Sequence, residues 1–325
     1  MRAYNNDLRT GGRRGRLTAL HTTQMDQVKA IIFNKVQGSF VDGWGVRTTI
    51  FLKGCPLKCK WCCNPEGQSF APELRVIYDD CNGCGRCLAL CDRGALSMKD
   101  GKVAVDRSKC DVCGACSEFC YTGALGPFGQ YYTVDEMFDY LKKDKMFYDA
   151  SGGGVTIGGG EATCFPDFVL PLIEKLHGEG IKVAIDSCGY VTSERGREIY
   201  RQADLVLFDI KGLERHRENT GVDNDVIWEN LRWLNSIHRD VIIRMPIIPG
   251  YNDDWQEIRR EAELLSQLNC IKRVDILPYH PYGKSKYREI GKTYEIPEGT
   301  KVPEEYQQRI KKLFEEKGFL TQLGG

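Results

Sequence analysis

The sequence lacks an excess of either charge, because its 325 residues include 45 lysines and arginines and 45 aspartates and glutamates. This balance argues against a nucleic-acid partner, since binding to polyanions depends on an excess of basic charge. No apolar run approaches the roughly 18 residues that cross a membrane. The polar N-terminal segment also contains nothing like the apolar part of a secretory signal. We therefore expect no nucleic acid and no membrane among the partners.

Cysteine, by contrast, is abundant. The chain contains 15 cysteines in a composition that is otherwise typical of a soluble globular protein, with 42% hydrophobic and 28% charged residues. So many thiols indicate either disulfides in a secreted protein or metal ligands in a reducing compartment. The odd count and the missing signal argue against disulfides. We therefore expect metal ligands and a reducing cytoplasm, that of an anaerobic organism.

The composition divides the chain into three parts. At roughly 150 residues per domain, the length predicts about two domains, or one large domain with a smaller one. Residues 1–27 lack hydrophobic periodicity, so we expect a disordered tail, or a segment upstream of a chain that begins at Met25. Residues 73–128 hold eight cysteines among Gly and Asp and are interpreted as an insert. The main domain then consists of residues 28–72 and 129–325.

Strands and helices alternate along the main domain. Short β-type runs at 28–33 and 48–52 come first, and after Tyr132 a helix from Thr133 precedes a Gly-rich strand and loop at 151–160. The pattern then predicts strands over 182–185, 205–210, 241–245 and 273–277, helices over 165–177, 193–202, 225–237, 255–268 and 304–317, and a short final strand. Such alternation requires a parallel sheet and favours a full or partial (β/α) barrel, with chemistry at the carboxyl ends of the strands.

The insert contains two identical cysteine runs. Both have the spacing C-x2-C-x2-C-x3-C, and each is followed by a similar phrase, Arg93–Leu96 or Thr122–Leu125, which indicates an internal duplication. The spacing is that of bacterial ferredoxins with two [4Fe–4S] clusters, in which the fourth cysteine of each run binds the other cluster. The expected ligand sets are Cys81, Cys84, Cys87 with Cys120, and Cys110, Cys113, Cys116 with Cys91. Two structural zinc sites are the alternative, but zinc gives no reason for two identical runs of four.

A third motif, Cys55, Cys59 and Cys62, has the spacing C-x3-C-x2-C. Three ligands leave one iron of a four-iron cluster without a protein thiolate, which is what a centre that also binds substrate requires. Cys63 is the alternative fourth ligand. It is adjacent to Cys62, and one cluster could hardly use both without strain, so the open site is favoured.

This motif after an N-terminal strand resembles the radical S-adenosylmethionine (SAM) superfamily. The phrases Cys62–Glu66 and Val41–Thr48 resemble one branch, the glycyl-radical-enzyme activating enzymes. Further matching phrases follow in the family's order: Ser151–Thr156, Gly159–Glu161, Asp186–Tyr190, Asp209–Lys211, Arg244, Pro249–Asp253, Leu277–His280, Gly283 and Lys284. The resemblance covers about residues 28–325. It implies a partial (β/α)6 TIM-type barrel with an inserted ferredoxin-like domain, as in the larger members of the branch.

The resemblance also implies roles for individual residues. Cys55, Cys59 and Cys62 would hold the catalytic cluster, whose open iron SAM chelates through its amino and carboxylate groups, with Trp61–Cys63 against the adenine. Gly159, Gly160 and Glu161 would meet the methionine ammonium group, which suits a carboxylate. Asp186 and Ser187 would bind a monovalent cation near SAM, while Asp209, Lys211, Arg244 and His280 would contact SAM or the partner's glycine loop, with Lys211 and His280 among the catalytic residues.

Alternatives and departures accompany these roles. Polar residues at strand ends commonly just face solvent, and a Gly-rich loop can cradle phosphate, although no Lys-Ser/Thr follows here. Trp44 and Gly158 stand where the family has proline and serine. Cys164, Cys188 and Cys270 fit no cluster pattern, so we expect buried free thiols.

The function that the resemblance implies is activation of another enzyme. An external reductant such as ferredoxin or flavodoxin would supply electrons through two auxiliary clusters, so that three [4Fe–4S] clusters are expected in all. SAM, a cosubstrate, would be cleaved to methionine and a 5′-deoxyadenosyl radical, which takes a hydrogen atom from a glycine of a glycyl radical enzyme. The insert resembles activators of arylacetate decarboxylases or arylalkylsuccinate synthases, with diol, choline and hydroxyproline lyases left open. The alternatives are a radical SAM enzyme acting on a small molecule and a ferredoxin-type electron-transfer protein.

Overall fold

The structure, a computed structural model, describes residues 28–237 and 239–324, and the tail expected at residues 1–27 lies outside them. The strands of the described part are β1 (Lys29–Ser39), β2 (Arg47–Leu52), β3 (Glu73–Val76), β4 (Leu96–Lys99), β5 (Lys102–Val105), β6 (Leu125–Phe128), β7 (Gln130–Thr133), β8 (Gly154–Gly159), β9 (Lys182–Ser187), β10 (Leu205–Asp209), β11 (Val241–Ile247), β12 (Ile271–Pro278) and β13 (Thr321–Leu323).

The helices of the same residues are α1 (Ala115–Glu118), α2 (Val134–Leu141), α3 (Lys145–Ser151), α4 (Pro166–Gly178), α5 (Glu194–Gln202), α6 (His216–Thr220), α7 (Asp225–Ser236), α8 (Trp255–Ser266), α9 (Lys284–Glu289) and α10 (Glu304–Glu316). Short 3₁₀ turns lie at Pro65–Gly67, Leu88–Leu90, Lys142–Asp144, Ala162–Cys164 and Pro281–Gly283. None of these helices is long and apolar enough to cross a membrane.

A mixed sheet of nine strands forms the centre of the fold, in the order β13-β12-β11-β10-β9-β8-β2-β1-β7. The six strands β2 and β8 to β12 are parallel neighbours, and β13 extends them in parallel at one edge. At the other edge β1 runs antiparallel to both β2 and β7. The strands and helices predicted by alternation are confirmed, and their parallel pairing places the strands' carboxyl ends at one edge of the sheet.

Local sequence explains most of these elements. Helix α2 begins with a capping box, in which the Thr133 hydroxyl accepts from the Glu136 amide and the Glu136 carboxylate accepts from the Thr133 amide. Strands β8 and β9 are mostly buried, as expected for parallel strands covered on both faces by helices. Strand β7 and helices α3, α6 and α9 were not predicted from the sequence. They are four to seven residues long, too short for a periodic pattern to be visible.

The cysteine-rich insert lies between β2 and β7. It contains two small antiparallel sheets, β3 with β6 and β4 with β5. Its core is small, consisting of Leu74, Val76, Leu96, Val103 and Leu125, and six of its eight cysteines pack against these side chains. With so little apolar area to bury, the insert depends on other interactions for its stability.

Candidate active site

A single cavity of about 340 Å³ lies where the carboxyl ends of the parallel strands meet. Its size is in the usual range for small-molecule sites. The predicted site residues that line it are Cys55, Cys59, Trp61, Cys62, Cys63, Gly159, Gly160, Asp186, Ser187, Asp209, Lys211, Arg244 and His280. They come from the loop after β2, the ends of β8, β9 and β10, the middle of β11 and the segment after β12. The structure thus brings together side chains that are more than 200 residues apart.

The loop that carries Cys55, Cys59 and Cys62 is held in place by its backbone. The amides of Lys58 and Lys60 donate to carbonyls at the end of α6, at 2.7 and 3.1 Å. Burial raises the pKa of the Cys59 thiol to about 12 and that of Cys62 further still. Such thiols become thiolates only where a metal compensates the charge. Three buried thiols facing one cavity therefore fit the donor set of an iron–sulfur cluster.

Glycines bring the end of β8 close to this loop. A Cβ atom on Gly160 would lie 2.1 Å from the carbonyl oxygen of Gly54, and Gly159 has a φ of +114°. Neither position accommodates a side chain. Gly158 stands where the family has serine, and a Cβ there would lie 2.9 Å from the Cβ of Asp186. The departure therefore gives Asp186 room inside the cavity wall.

Charged groups gather along the strand ends. Arg244 Nη1 lies 3.3 Å from Asp186 Oδ1, and Lys211 Nζ donates to Asp209 Oδ2 at 2.5 Å. Burial raises the pKa of Asp186 to about 7, although Arg244 opposes this shift. Burial lowers the pKa of Lys211, but the Asp209 carboxylate and the neighbouring thiols outweigh it, so the pKa lies above its ordinary value and the ammonium group stays charged. Asp186 Oδ1 and Arg244 Nε are buried without a hydrogen-bond partner, so both are available to a ligand.

Comparison with known proteins decides the family. The profile of the Radical SAM superfamily matches residues 110–262. The trans-4-hydroxy-L-proline dehydratase activating enzyme of Clostridioides difficile is 41% identical over 300 residues, covering 91% of this chain and 99% of that protein. The chain belongs to the activating enzymes of glycyl radical enzymes. It is a radical SAM enzyme, and its α/β fold with a mixed central sheet is the fold of that superfamily.

Further relatives of this activating enzyme agree. The benzylsuccinate synthase activating enzyme of Thauera aromatica is 39% identical over 298 residues, 88% of this chain and 90% of that one. Among solved structures, Streptococcus suis SuiB bound to the precursor peptide SuiA superposes with a TM-score of 0.50 at 14% identity, over 83% of this chain and 46% of SuiB. That likeness concerns the fold alone. The matched range of the superfamily profile begins after Cys62, so the role of the Cys55–Cys62 loop rests on the cavity geometry.

Glu161 lies elsewhere than expected. It is fully buried behind the cavity wall, and its carboxylate already accepts four hydrogen bonds, from the Thr163 amide and hydroxyl, the Ser187 hydroxyl and the Cys188 amide. A direct contact with a methionine ammonium group would require these bonds to change. In this structure Glu161 positions Ser187 and Cys188 at the end of β9.

Asp42 is a cavity residue to which the sequence analysis gave no role. It lies in the loop between β1 and β2, lines the cavity and lies 3.8 Å from Arg244 Nη1. The hydroxyls of Ser39 and Thr49 donate to its Oδ2 at 2.6 and 2.7 Å. The resemblance of the phrase Val41–Thr48 was the available signal. What the sequence could not indicate was that this loop turns inward.

The remaining thiols divide by their surroundings. All 15 cysteines lie in the described part of the chain and all are free. Cys270 and Cys188 are buried, as expected, and Cys188 lines the cavity and packs against Cys55. The expectation of a buried thiol is wrong for Cys164, which is exposed because it ends the 3₁₀ turn after β8. His280 also lies at the cavity, where its Nδ1 accepts from the Tyr282 amide at 3.4 Å and burial lowers its pKa.

Two smaller cavities of about 20 Å³ lie within the insert. The first is lined by Cys81, Cys84, Cys87 and Cys120, and the second by Cys91, Cys110 and Cys113, with Cys116 at both. The fourth cysteine of each run therefore lies with the other run, in the sets expected from the spacing. Among the described residues, no three His, Cys, Asp or Glu side chains form a site for a single metal ion. Thiols that surround a cavity without converging on one point suit a cluster, whose thiolates bind different irons.

Proposed function

We propose that this activating enzyme binds SAM in the 340 Å³ cavity and cleaves it reductively. One electron and SAM give methionine and a 5′-deoxyadenosyl radical, which takes a hydrogen atom from a glycine Cα of a partner and leaves 5′-deoxyadenosine and a glycyl radical. A four-iron cluster bound by Cys55, Cys59 and Cys62 supplies the electron. The observation that carries the proposal is the meeting of three buried thiols with unsatisfied charged groups in one cavity.

The chain's own residues bind and orient the cosubstrate. Arg244, with its unpartnered Nε, is placed to hold the carboxylate of SAM, and Asp186 Oδ1 is the atom available to the expected monovalent cation. Lys211 is fixed by Asp209, so its ammonium group is a rigid donor at the cavity wall. Burial excludes water, which strengthens each of these interactions. Asp42 and His280 lie at the same wall and are assigned to the partner's glycine loop.

We assign the insert as a ferredoxin-like domain that holds two auxiliary [4Fe–4S] clusters. The thiols at each small cavity support this assignment over two zinc sites, because they come from both runs and surround a space. The insert then passes electrons from an external reductant, such as ferredoxin or flavodoxin, to the cavity. Fifteen free thiols also support a reducing, anaerobic cytoplasm as the compartment.

The partner is a glycyl radical enzyme, and its class is open to experiment. Arylacetate decarboxylases and arylalkylsuccinate synthases remain our first candidates. The 41% identity to a hydroxyproline dehydratase activator, against 39% to a benzylsuccinate synthase activator, favours adding hydroxyproline dehydratases as a second candidate.

One assay tests the activity. Anaerobic, dithionite-reduced protein is mixed with SAM, with and without each candidate partner, and 5′-deoxyadenosine and the glycyl radical signal in electron paramagnetic resonance are measured. We expect both products with the true partner. Absence of 5′-deoxyadenosine under every condition would contradict radical chemistry and favour an electron-transfer protein. Deoxyadenosine without a radical on any partner would favour a small-molecule substrate. The exposed Cys164→Ala variant is the control for handling of a cysteine-rich chain.

A further inference from the structure

We propose that helix α9 and Arg107 form the joint that holds the insert against the Cys55–Cys62 loop, and that this joint sets the rate of electron transfer into the cavity. The second part rests on the two insert clusters of the proposed function. The first part concerns contacts between protein groups alone, so it can be tested separately.

Helix α9 contacts the catalytic loop on one side. Tyr287 is only 6% exposed, and its hydroxyl donates to the carbonyls of Cys59 and Lys60, each at 3.4 Å. One residue earlier, Lys286 Nζ forms an ion pair with the buried Glu66 at 2.7 Å. The helix is thus fixed to the backbone on both sides of the cysteine motif's last residues.

The other side of α9 contacts the insert. Arg107 donates through Nη1 to the carbonyl of Leu74 at 2.9 Å and through Nη2 to the carbonyl of Glu289 at 3.1 Å. Gly291 allows this approach, because a Cβ there would lie 2.7 Å from Arg107 Nε. One guanidinium therefore bridges strand β3 and the end of α9.

A second contact repeats this arrangement at the other cysteine run. The Arg288 guanidinium lies 5.0 Å from the ring centre of Tyr78 and 3.5 Å from Asp79. Tyr78 and Asp79 directly precede the first run, as Arg107 precedes the second. Helix α9 therefore touches the entry of both halves of the duplicated insert.

These contacts determine the position of the helix. Six residues are too few for a helix that is stable alone, so α9 depends on its neighbours. Electron tunnelling weakens steeply with distance, and a loosened joint would let the insert move away from the cavity. Loss of Arg107 should consequently slow transfer without changing any ligand or cavity residue.

The first measurement is amide hydrogen exchange on the full-length holoenzyme. In Arg107→Ala the amides of Ile290, Gly291 and Lys292, which bond within α9, should exchange about ten-fold faster, because the hydrogen bonds that fix the helix are lost. Amides of β11 and β12 should not change. The matched control is Arg93→Ala, which removes an exposed pair with Asp111 inside the insert. Equal exchange in all three proteins would overturn the joint.

The second measurement separates the routes of reduction. With flavodoxin as reductant, Arg107→Ala should cleave SAM about ten-fold more slowly if the lost contacts shift the docked population accordingly. With dithionite, which reaches the cavity directly, the rate should match the parent. Arg107→Lys keeps the charge but cannot bridge two carbonyls, so it should give an intermediate flavodoxin rate. Equal losses with both reductants, or no loss with either, would overturn the electron-transfer role.

Iron analysis of the same samples distinguishes the two proposals. About twelve irons per chain are expected for three clusters. About four irons with accelerated exchange in Arg107→Ala would leave the joint standing and refute the auxiliary clusters instead.

Discussion

The thiols of the cavity and those of the insert differ in their surroundings. Cys59 is buried, and the cavity beside it has about 340 Å³ and charged side chains from several strand ends. In the insert, Cys84 and Cys113 are exposed, and each cavity has only about 20 Å³. Space next to the thiols is what permits a second molecule to bind. The same donor atoms can therefore support chemistry in one region and electron storage in the other.

Removing one thiol from each region should break this comparison most visibly. Cys59→Ala should abolish SAM cleavage, because the cavity then has two ligands for its cluster. Cys84→Ala should retain a single turnover when the cavity cluster is reduced beforehand. The measurement is 5′-deoxyadenosine formed per chain after chemical reduction and removal of the reductant. Equal loss in both variants would refute the division of labour.

The approach of Gly160 to Gly54 is the second point of contrast. A methyl group on Gly160 would overlap the Gly54 carbonyl, so Gly160→Ala should cost about 3 kcal/mol of stability. It should also displace the cysteine loop and weaken SAM binding. In the insert, a Cβ on Gly94 meets no atom within 4 Å, and only its positive φ of +58° opposes a side chain. Gly94→Ala should therefore cost about 1 kcal/mol. Similar losses by thermal unfolding would contradict the crowding argument.

These contrasts also show what the sequence could and could not predict. Cysteine spacing predicted which thiols meet, including the exchange of Cys91 and Cys120 between runs, because a cluster constrains spacing directly. Strand alternation predicted that Asp186 and Arg244 would meet, because parallel strands end at one edge. The direction of a side chain is set by its neighbours, so the inward turn of Glu161 was not visible. Contacts of α9 join residues about 180 positions apart in the chain, and no local pattern encodes them.

Lys53 connects the two regions, and its loss should have the next largest effect. Its fully buried ammonium group donates to the Glu66 carbonyl at 2.5 Å and to the Glu73 carboxylate, at the start of the insert, at 2.6 Å. Lys53→Met would leave both acceptors unpaired and should cost about 3 kcal/mol. Lys99→Met, in an exposed strand of the insert, is the matched control and should leave the melting temperature unchanged. A melting temperature of Lys53→Met equal to the parent's would show that water replaces the ammonium group.

The smallest effect concerns pH. Burial raises the pKa of Asp186 to about 7 from an ordinary 3.8. The folded state thus binds a proton that the unfolded state releases, and stability should fall as the pH rises from about 4 to about 7. In Asp186→Asn this part of the slope disappears. Glu261, whose pKa burial raises to about 8, retains a slope of the same sign.

The measurement is the melting temperature without SAM at pH 5 and pH 8. The difference between these two values should shrink by about 3 °C in Asp186→Asn. The slope is the readout and not the level, because the amide also leaves Arg244 less well paired. In the insert, the exposed Asp111 has a pKa lowered by its hydrogen bond with Arg93, which is the opposite direction. Asp111→Asn should consequently leave the difference between pH 5 and pH 8 as it is in the parent, since its carboxylate is already ionised throughout that range. A difference unchanged in Asp186→Asn would mean that Arg244 keeps the Asp186 carboxylate ionised.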